Sequence, residues 1–339
     1  AFCFANKAVD LQSRWARGEG MEYWPFQLAY ILMCIESVVN RKSDYRDVCD
    51  LMWVPTGTGK TEAYLALAVF TMAYRRRLAL REEKTGAGVS IITRYTLRLL
   101  TIQQFRRTLS IITAAEMLRV HNLSAKNSVG WRPAAWPDSQ QNFIWGSSQF
   151  SAGLWIGGGA TPNHLKKIRY TDGWHMGALD ILSGERGDSE PAQIVSCPCC
   201  NRTLSITDSG LSGTARLDLV VMSTSESDIS AEIGKLAGIT FDTINVTEAG
   251  SVRHANPYYY TISLTIEQGN RDIKPDTVDK MWNNITNHLA QAGVNLTLVP
   301  FRASRPGYFK RIYLKQNGEP KVYDFEIFCP NPKCELHVP

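Results

Sequence analysis

The run Leu51 to Ala63, Leu-Met-Trp-Val-Pro-Thr-Gly-Thr-Gly-Lys-Thr-Glu-Ala, constrains this 339-residue chain more than any other feature. Val48, Leu51, Met52, Trp53 and Val54 make the stretch 47–54 mostly apolar, which predicts a strand buried on both faces. Gly57 and Gly59 admit backbone angles closed to other residues, so the amides from Thr56 through Thr58 turn around an anion. Lys60 is placed to reach the β- and γ-phosphates of a nucleotide, and the Thr61 hydroxyl to ligate Mg²⁺. From Thr61 onward, Ala63, Leu65, Ala66, Leu67, Val69 and Phe70 predict a buried helix whose positive end faces that anion. Thr56, Gly57, Thr58, Gly59, Lys60, Thr61 and Glu62 are therefore the candidate contacts for ATP and Mg²⁺, with Lys60 and Thr61 as the catalytic pair. Strand, loop, lysine, hydroxyl and helix follow in the required order, which argues against a chance glycine turn. The general phosphate-loop pattern opens on glycine six residues before the lysine, and here that position is Val54.

The form Pro-Thr-Gly-x-Gly-Lys-Thr is the helicase version of this loop. Trp24-Pro25-Phe26-Gln27 is similar to the helicase segment whose glutamine amide reads adenine beside a stacking aromatic; a helix cap with a buried Phe reads equally well. Residues 88–94 read as a second buried strand and 95–107 as a long helix, where superfamily 2 helicases place the segment gripping one nucleic-acid strand. Between Arg94 and Arg119 stand five arginines (94, 98, 106, 107 and 119) against one acid, Glu116. Thr96 is placed to cap the helix, and Arg94, Thr96, Arg98 and Gln103 are the candidate nucleic-acid contacts; a solvated helix face is the other reading. Arg75, Arg76, Arg77 and Arg81 form a second basic group, which helix-dipole placement at the end of the first helix explains.

Taken together, 51–65, 94–104 and 153–163 resemble the DrmA family, the large helicase-like subunits of the bacterial DISARM anti-phage defence system. The resemblance covers 20–200 and the terminal stretch 329–337. It implies the first motor domain of a superfamily 2 ATPase of the translocase type, acting on DNA beside a DrmB-like partner protein and a methyltransferase arm. A helicase of this class needs an apolar strand ending in Asp-Glu, for the metal and the attacking water. No Asp-Glu pair occurs in the sequence. The expectation is a piece of a larger protein, with that box beyond the second cysteine pair, binding ATP without hydrolysing it efficiently alone. A non-motor module, holding nucleotide structurally and docking a partner through a zinc-stabilised element, is the alternative.

Eight cysteines alongside these motifs point to metal or free thiols more than to disulfides. Cys197 and Cys200 form a Cys-x-x-Cys knuckle, and Cys329 with Cys334 a second pair. Four thiolates would close a tetrahedral structural Zn²⁺ site. Cys199 leaves the register open, His337 offers a substitute ligand, and buried reduced thiols or a disulfide are the alternatives. Cys3, Cys34 and Cys49 read as core residues.

Between the pairs, 216–222, 258–267 and 294–301 read as strands, 276–292 as a helix, and 308–314 with 321–328 as a hairpin. Residues 121–152 read as loop. The tryptophans from Trp131 to Trp174 either stack bases or pack beneath that loop. Gly157 to Asn163 reads either as a phosphate-holding turn or as a helix start capped by Thr161.

The fold expected is thus α/β: a RecA-like parallel sheet with flanking helices and a helical lead-in over 1–195, then over 196–339 a split zinc ribbon carrying a small α+β insert, 202–328. A net charge of +5 confines any nucleic-acid surface to a local patch. No apolar stretch approaches the ~20 residues of a membrane span and no signal peptide is visible, so the reading is bacterial cytoplasm with no membrane partner.

Overall fold

A computed structural model describes residues 1–82, 84–95, 98–121, 129–136, 143–223, 231–232, 235, 241–248, 258–294, 296–298, 302–314 and 320–337. The chain forms two compact units, Ala1–Trp155 and Ile156–Pro339. The division precedes the expected 195/196 boundary because Leu182 and Ala192 pack in one apolar cluster with Cys197 and Leu204.

The first unit is built on α1 (Phe2–Arg17), α2 (Pro25–Val39), α3 (Lys60–Arg81) and α4 (Arg98–Arg119). Phe4, Ala5, Ala8 and Val9 of α1 lie on one face and are buried, as are Ala66, Val69, Phe70 and Ala73 of α3 and Ile111, Ile112, Ala115 and Leu118 of α4. Apolar residues at three- and four-residue spacing supply the stripe each helix buries. The α1 helix ends at Gly18, whose left-handed backbone (φ 79°) lets its N–H reach the Arg14 carbonyl.

The structure departs from the sequence reading at both apolar runs. Residues 48–55 and 88–94 form no strand, with Trp53 88 % and Ile92 87 % exposed. A strand buried on both faces takes its hydrogen bonds from neighbouring strands, and none of the described residues provides one. Side chains take the carbonyls instead: Arg75 donates to Ala87 O at 2.6 Å and Val89 O at 2.7 Å, and Lys60 to Val54 O at 2.6 Å. The basic group on α3 does similar work elsewhere. Arg76 donates to Thr85 O and Gln149 O and lies over the Phe150 ring, while Arg77 donates to Ile144 O. These three arginines clamp irregular chain, which a helix-dipole account does not anticipate.

The stretch read as loop, where described, is irregular but not peripheral. Ile144, Trp145 and Phe150 enter the core, Trp145 lying 4.2 Å from the Phe4 ring and donating its indole N–H to Trp131 O at 2.7 Å. Trp145 thus packs, and Trp155 is fully exposed.

The second unit opens with β1 (Ile168–Tyr170) and β2 (Gly173–His175), an antiparallel pair, and α5 (Ala178–Leu182). No helix begins at Thr161: residues 158–160 form a turn closed by Ala160 N–H on Gly157 O. Next come β3 (Leu211–Ser223), β4 (Phe241–Glu248), β5 (Tyr258–Ile273), α6 (Pro275–Gln291) and β6 (Leu296–Leu298). Their sheet order is β4-β5-β3-β6, antiparallel throughout. Leu217, Leu219 and Val221 alternate inward on β3, and α6 buries Val278, Trp282, Ile285 and Leu289. The hairpin β7 (Tyr308–Leu314) and β8 (Pro320–Ile327) follows. The protein is therefore a mixed helix and strand structure with small antiparallel sheets. Among the described residues no named strands pair in parallel, and no helix is long and apolar enough to cross a membrane.

Replacing Trp145 with Ala removes a fully buried ring and strands the Trp131 carbonyl. The expected loss is about 3–5 kcal/mol, measured by urea unfolding followed at the first unit's helices.

Candidate functional site

Two constellations stand out, one in each unit. In the first unit the loop before α3 turns through Gly57 and Gly59, with φ of 85° and 90°. Both values lie in the left-handed region that glycine alone enters freely. A side chain on Gly57 would meet nothing within 4 Å, so the space over the first glycine is open. At Gly59, the residue preceding α3, a Cβ would stand 2.6 Å from Gln27 Nε2.

Lys60, first residue of α3, folds back over the loop and donates to Val54 O at 2.6 Å and Pro55 O at 3.1 Å. Thr58 closes the turn by donating to Pro55 O at 2.9 Å. Among the described residues Lys60 makes no ion pair, so its ammonium faces only carbonyl dipoles. Open space over the turn, free helix N–H groups and an unneutralised ammonium fit a phosphate.

The remaining loop candidates have definite partners. Gln27 is buried; its Oε1 accepts from Trp24 N–H at 2.8 Å, capping α2, and its Nε2 donates to Gly59 O at 2.7 Å. Its carboxamide is thus engaged with backbone on both sides, in the capping arrangement, while Phe26 is only half-buried. Glu62 pairs with Arg107 of α4 and, at 3.7 Å, with Arg17 of α1. Tyr64 meets Thr61 Oγ1 at 3.2 Å, the Tyr95 hydroxyl at 2.9 Å and Gln104 Oε1 at 3.3 Å. Nothing in the loop motif itself pointed to Tyr64; its place one turn after Thr61 is the only sequence signal. Between the end of α1 and the start of α2 lies a cavity of about 710 Å³, whose lining includes Arg14, Arg17, Tyr23 and Trp24.

Of the candidate nucleic-acid residues, Arg94 and Gln103 are exposed. Thr96 lies outside the described residues, and Arg98 is described only as the first helical residue of α4. Two of the five arginines in this segment are committed elsewhere. Arg107 holds Glu62, and buried Arg119 pairs with Glu116 and donates to Gly146 O and Ser147 O.

In the second unit Cys197, Cys200, Cys329 and Cys334 converge, with all four sulfurs within 4.8 Å of one another. Cys197 and Cys334 are 3.7 Å apart and Cys200 and Cys329 3.4 Å, although the latter two are 129 positions apart in sequence. Four sulfurs at ~2.3 Å from a central ion would stand ~3.8 Å from each other. Asn201 takes a left-handed φ of 56° so that its N–H reaches Cys197 O at 2.9 Å, and Leu336 N–H approaches Cys334 Sγ at 3.4 Å. Of the two, the Leu336 N–H faces a sulfur, where it offsets thiolate charge around a metal. Cys199 stands outside the quartet, and His337 Nδ1 is engaged with Cys329 O at 2.9 Å.

The four thiols lie close enough to shift one another's ionisation in opposite directions. Hydrogen bonds from Cys197 and Cys329 hold the Cys200 thiol far below its ordinary value. The counterpart bond to Cys200 pushes Cys197 up to about 12, and burial raises Cys334 to about 11. Cys329 is pushed upward by its bonds to Cys197 and Cys200. The cluster is thus able to hold a metal ion.

No protein-family model matches the sequence, and no solved structure gives a significant match. The chain is similar to the DISARM protein DrmA of Bacillus paralicheniformis (strain ATCC 9945a / NCIMB 11709 / CD-2). It is 37 % identical over 198 residues, which is 58 % of this chain and 16 % of the relative's length.

A soft metal ion added to the metal-free protein is expected to bind once per chain and to release protons at neutral pH, since thiols must ionise to ligate. Uptake is read by elemental analysis and proton release by a pH indicator in weak buffer. Cys329→Ser should abolish both signals.

Proposed function

We propose that this chain is the ATP-binding part of the first motor domain of a superfamily 2 DNA translocase in bacterial anti-phage defence. The observation that carries the reading is Lys60: an ammonium without an ion-pair partner among the described residues, at a helix N-terminus, beside two glycines in left-handed backbone. A triphosphate would draw Lys60 from the Val54 and Pro55 carbonyls. It would then bind through the amides of Thr56 to Thr61, with the Thr61 hydroxyl on Mg²⁺. Gln27 serves by fixing the Gly59 carbonyl, and Glu62 by pinning the start of α3 to Arg17 and Arg107. Trp24, 65 % exposed at the rim of the neighbouring cavity, supplies a stacking face for adenine.

Similarity to a DISARM protein supports the defence role and, through it, DNA and a DrmB-like protein as partners in the cytoplasm. Arg94, Thr96, Arg98 and Gln103 grip the DNA backbone. In this reading 48–54 and 88–94 become strands of a RecA-like sheet once neighbouring strands pair with them, which gives their exposed apolar side chains a place. Hydrolysis needs an Asp-Glu box from a longer parent protein. The cysteine quartet holds Zn²⁺ as a structural clip with no open coordination position.

ATP titrated calorimetrically into the chain should bind, and Lys60→Ala should remove the heat; silence from the unaltered chain would overturn the proposal. In a longer parent, ATPase activity should rise with DNA and vanish in the same variant. Arg94→Ala should weaken DNA binding without regard to sequence and lower the slope of log affinity against log salt by about one.

A further inference from the structure

The β1–β2 hairpin has no buried face. Every residue from Leu165 to Asp172 is exposed, and so are Trp174 and His175. Two short strands with nothing to bury are marginal by themselves, so other contacts hold the pair. At its base Ala178 N–H meets His164 O at 2.8 Å and Leu179 N–H meets Leu165 O at 2.9 Å. Gly177 sits where any Cβ would strike the Lys166 backbone at 2.4 Å. On one face the Tyr170 hydroxyl lies 2.9 Å from His164 Nε2, its ring stands edge-on to His175 at 4.9 Å, and His175 reaches Asp172 at 3.0 Å. The hairpin is thus fastened down while its rings stay open to solvent.

On the other face Arg169 and Trp174 stand opposite each other across the strands. The indole is 57 % exposed, and Lys167 Nζ and Arg169 Cζ each lie 6.0 Å from its ring centroid. Lys167 is 3.8 Å from Glu185, an ion pair half in solvent on both sides and therefore weak. Among the described residues Arg169 makes no ion pair. Asp172 is the one acid between His164 and His175, and it is taken by His175. A polymer with one flat base and one phosphate per repeat matches both the open ring and the cations beside it; an acidic peptide matches the cations alone. A base stacked on both sides within a duplex offers no free face to a ring, so the matching strand is single.

We propose that the β1–β2 hairpin is a binding site for single-stranded nucleic acid, one base stacking on Trp174 and the adjoining phosphates meeting Lys167 and Arg169. The site belongs to the second unit and is separate from Arg94, Thr96, Arg98 and Gln103 of the first. It does not rest on the nucleotide-binding reading of the Gly57–Gly59 loop.

Binding of a fluorescent oligothymidylate to the full chain, read by anisotropy, tests the site. Trp174→Ala should weaken it by roughly 5- to 150-fold, the worth of one stacked base. Trp174→Phe keeps a ring and should retain most of the affinity. Arg169→Ala should lower the slope of log affinity against log salt by about 0.7, the share of one phosphate on a single strand. Binding of a duplex of the same length should be indifferent to Trp174→Ala. An oligothymidylate that does not bind, equal losses for single strand and duplex, Ala and Phe variants alike, or an unchanged salt slope would overturn the proposal. So would polyglutamate displacing the label as well as unlabelled oligothymidylate does, which would assign the face to acidic peptides. Should Trp174→Ala not fold, the Arg169→Ala slope decides. Arg94→Ala measured alongside reports on the first unit's grip, so that either site can fail while the other stands.

Discussion

Guanidinium groups donating to main-chain carbonyls hold the first unit together. Irregular chain packed against helices brings carbonyl oxygens that no ladder satisfies, and each left bare would cost on the order of 1–3 kcal/mol. Arg76, Arg77 and Arg119 meet that demand for 85 and 144–149, and Arg75 for 87–89. Because Arg76 and Arg119 are both buried and charged, truncation would remove the donor and the packing of its stem together. Burial draws the Arg76 and Arg77 guanidiniums below their ordinary values, yet at any physiological pH both remain cations and donors. The Gly57–Gly59 turn sits at the other end of the same helix. The C-terminal part of α3 is thus moored by three consecutive side chains that read, in sequence, as a surface charge run.

The second unit was more legible than the first, for physical reasons. The β7–β8 hairpin, α6 and strands β3 and β5 announced themselves because alternation and helical spacing are local signals that survive burial on one face. The cysteine quartet was legible because proline-flanked thiol pairs have few packing explanations. The β4 strand was not anticipated: Phe241 to Glu248 mixes acids, threonines and an asparagine with its apolar residues, and its place is set by pairing with β5. In the first unit the apolar runs at 48–54 and 88–92 carried the composition of buried strands. Strandness, however, belongs to a pair, and side chains took the hydrogen-bonding edges. Tyr64 was invisible for a similar reason: its partners come from 31 and 40 positions away.

Charge is distributed to match these roles. Glu62 binds Arg17 of α1 and Arg107 of α4, so one carboxylate joins three helices at the start of α3. Among the described residues Lys60, in the same turn, makes no ion pair. Compensating the glutamate while leaving the lysine uncompensated keeps the local field positive where an anion would approach. In the second unit Arg305 and Glu190 form a two-bond pair with the arginine buried, at 2.6 and 2.9 Å. That geometry suits a guanidinium and not an ammonium.

The sulfur quartet has a consequence for how such a chain can change over time. Ile206 N–H meets Ser304 O, and Gly307 N–H meets Leu204 O, so the chain leaves and re-enters at adjacent points just beside the thiols. Everything between is a cassette hung from a fixed clasp. Lengthening a closed excursion costs little, about 0.6 kcal/mol per doubling, although Asp218 on β3 reaches back to pair with Arg202 beside the thiols at 2.9 Å. The sulfurs, drawn together from both ends of the excursion, hold its two ends in place whatever its length.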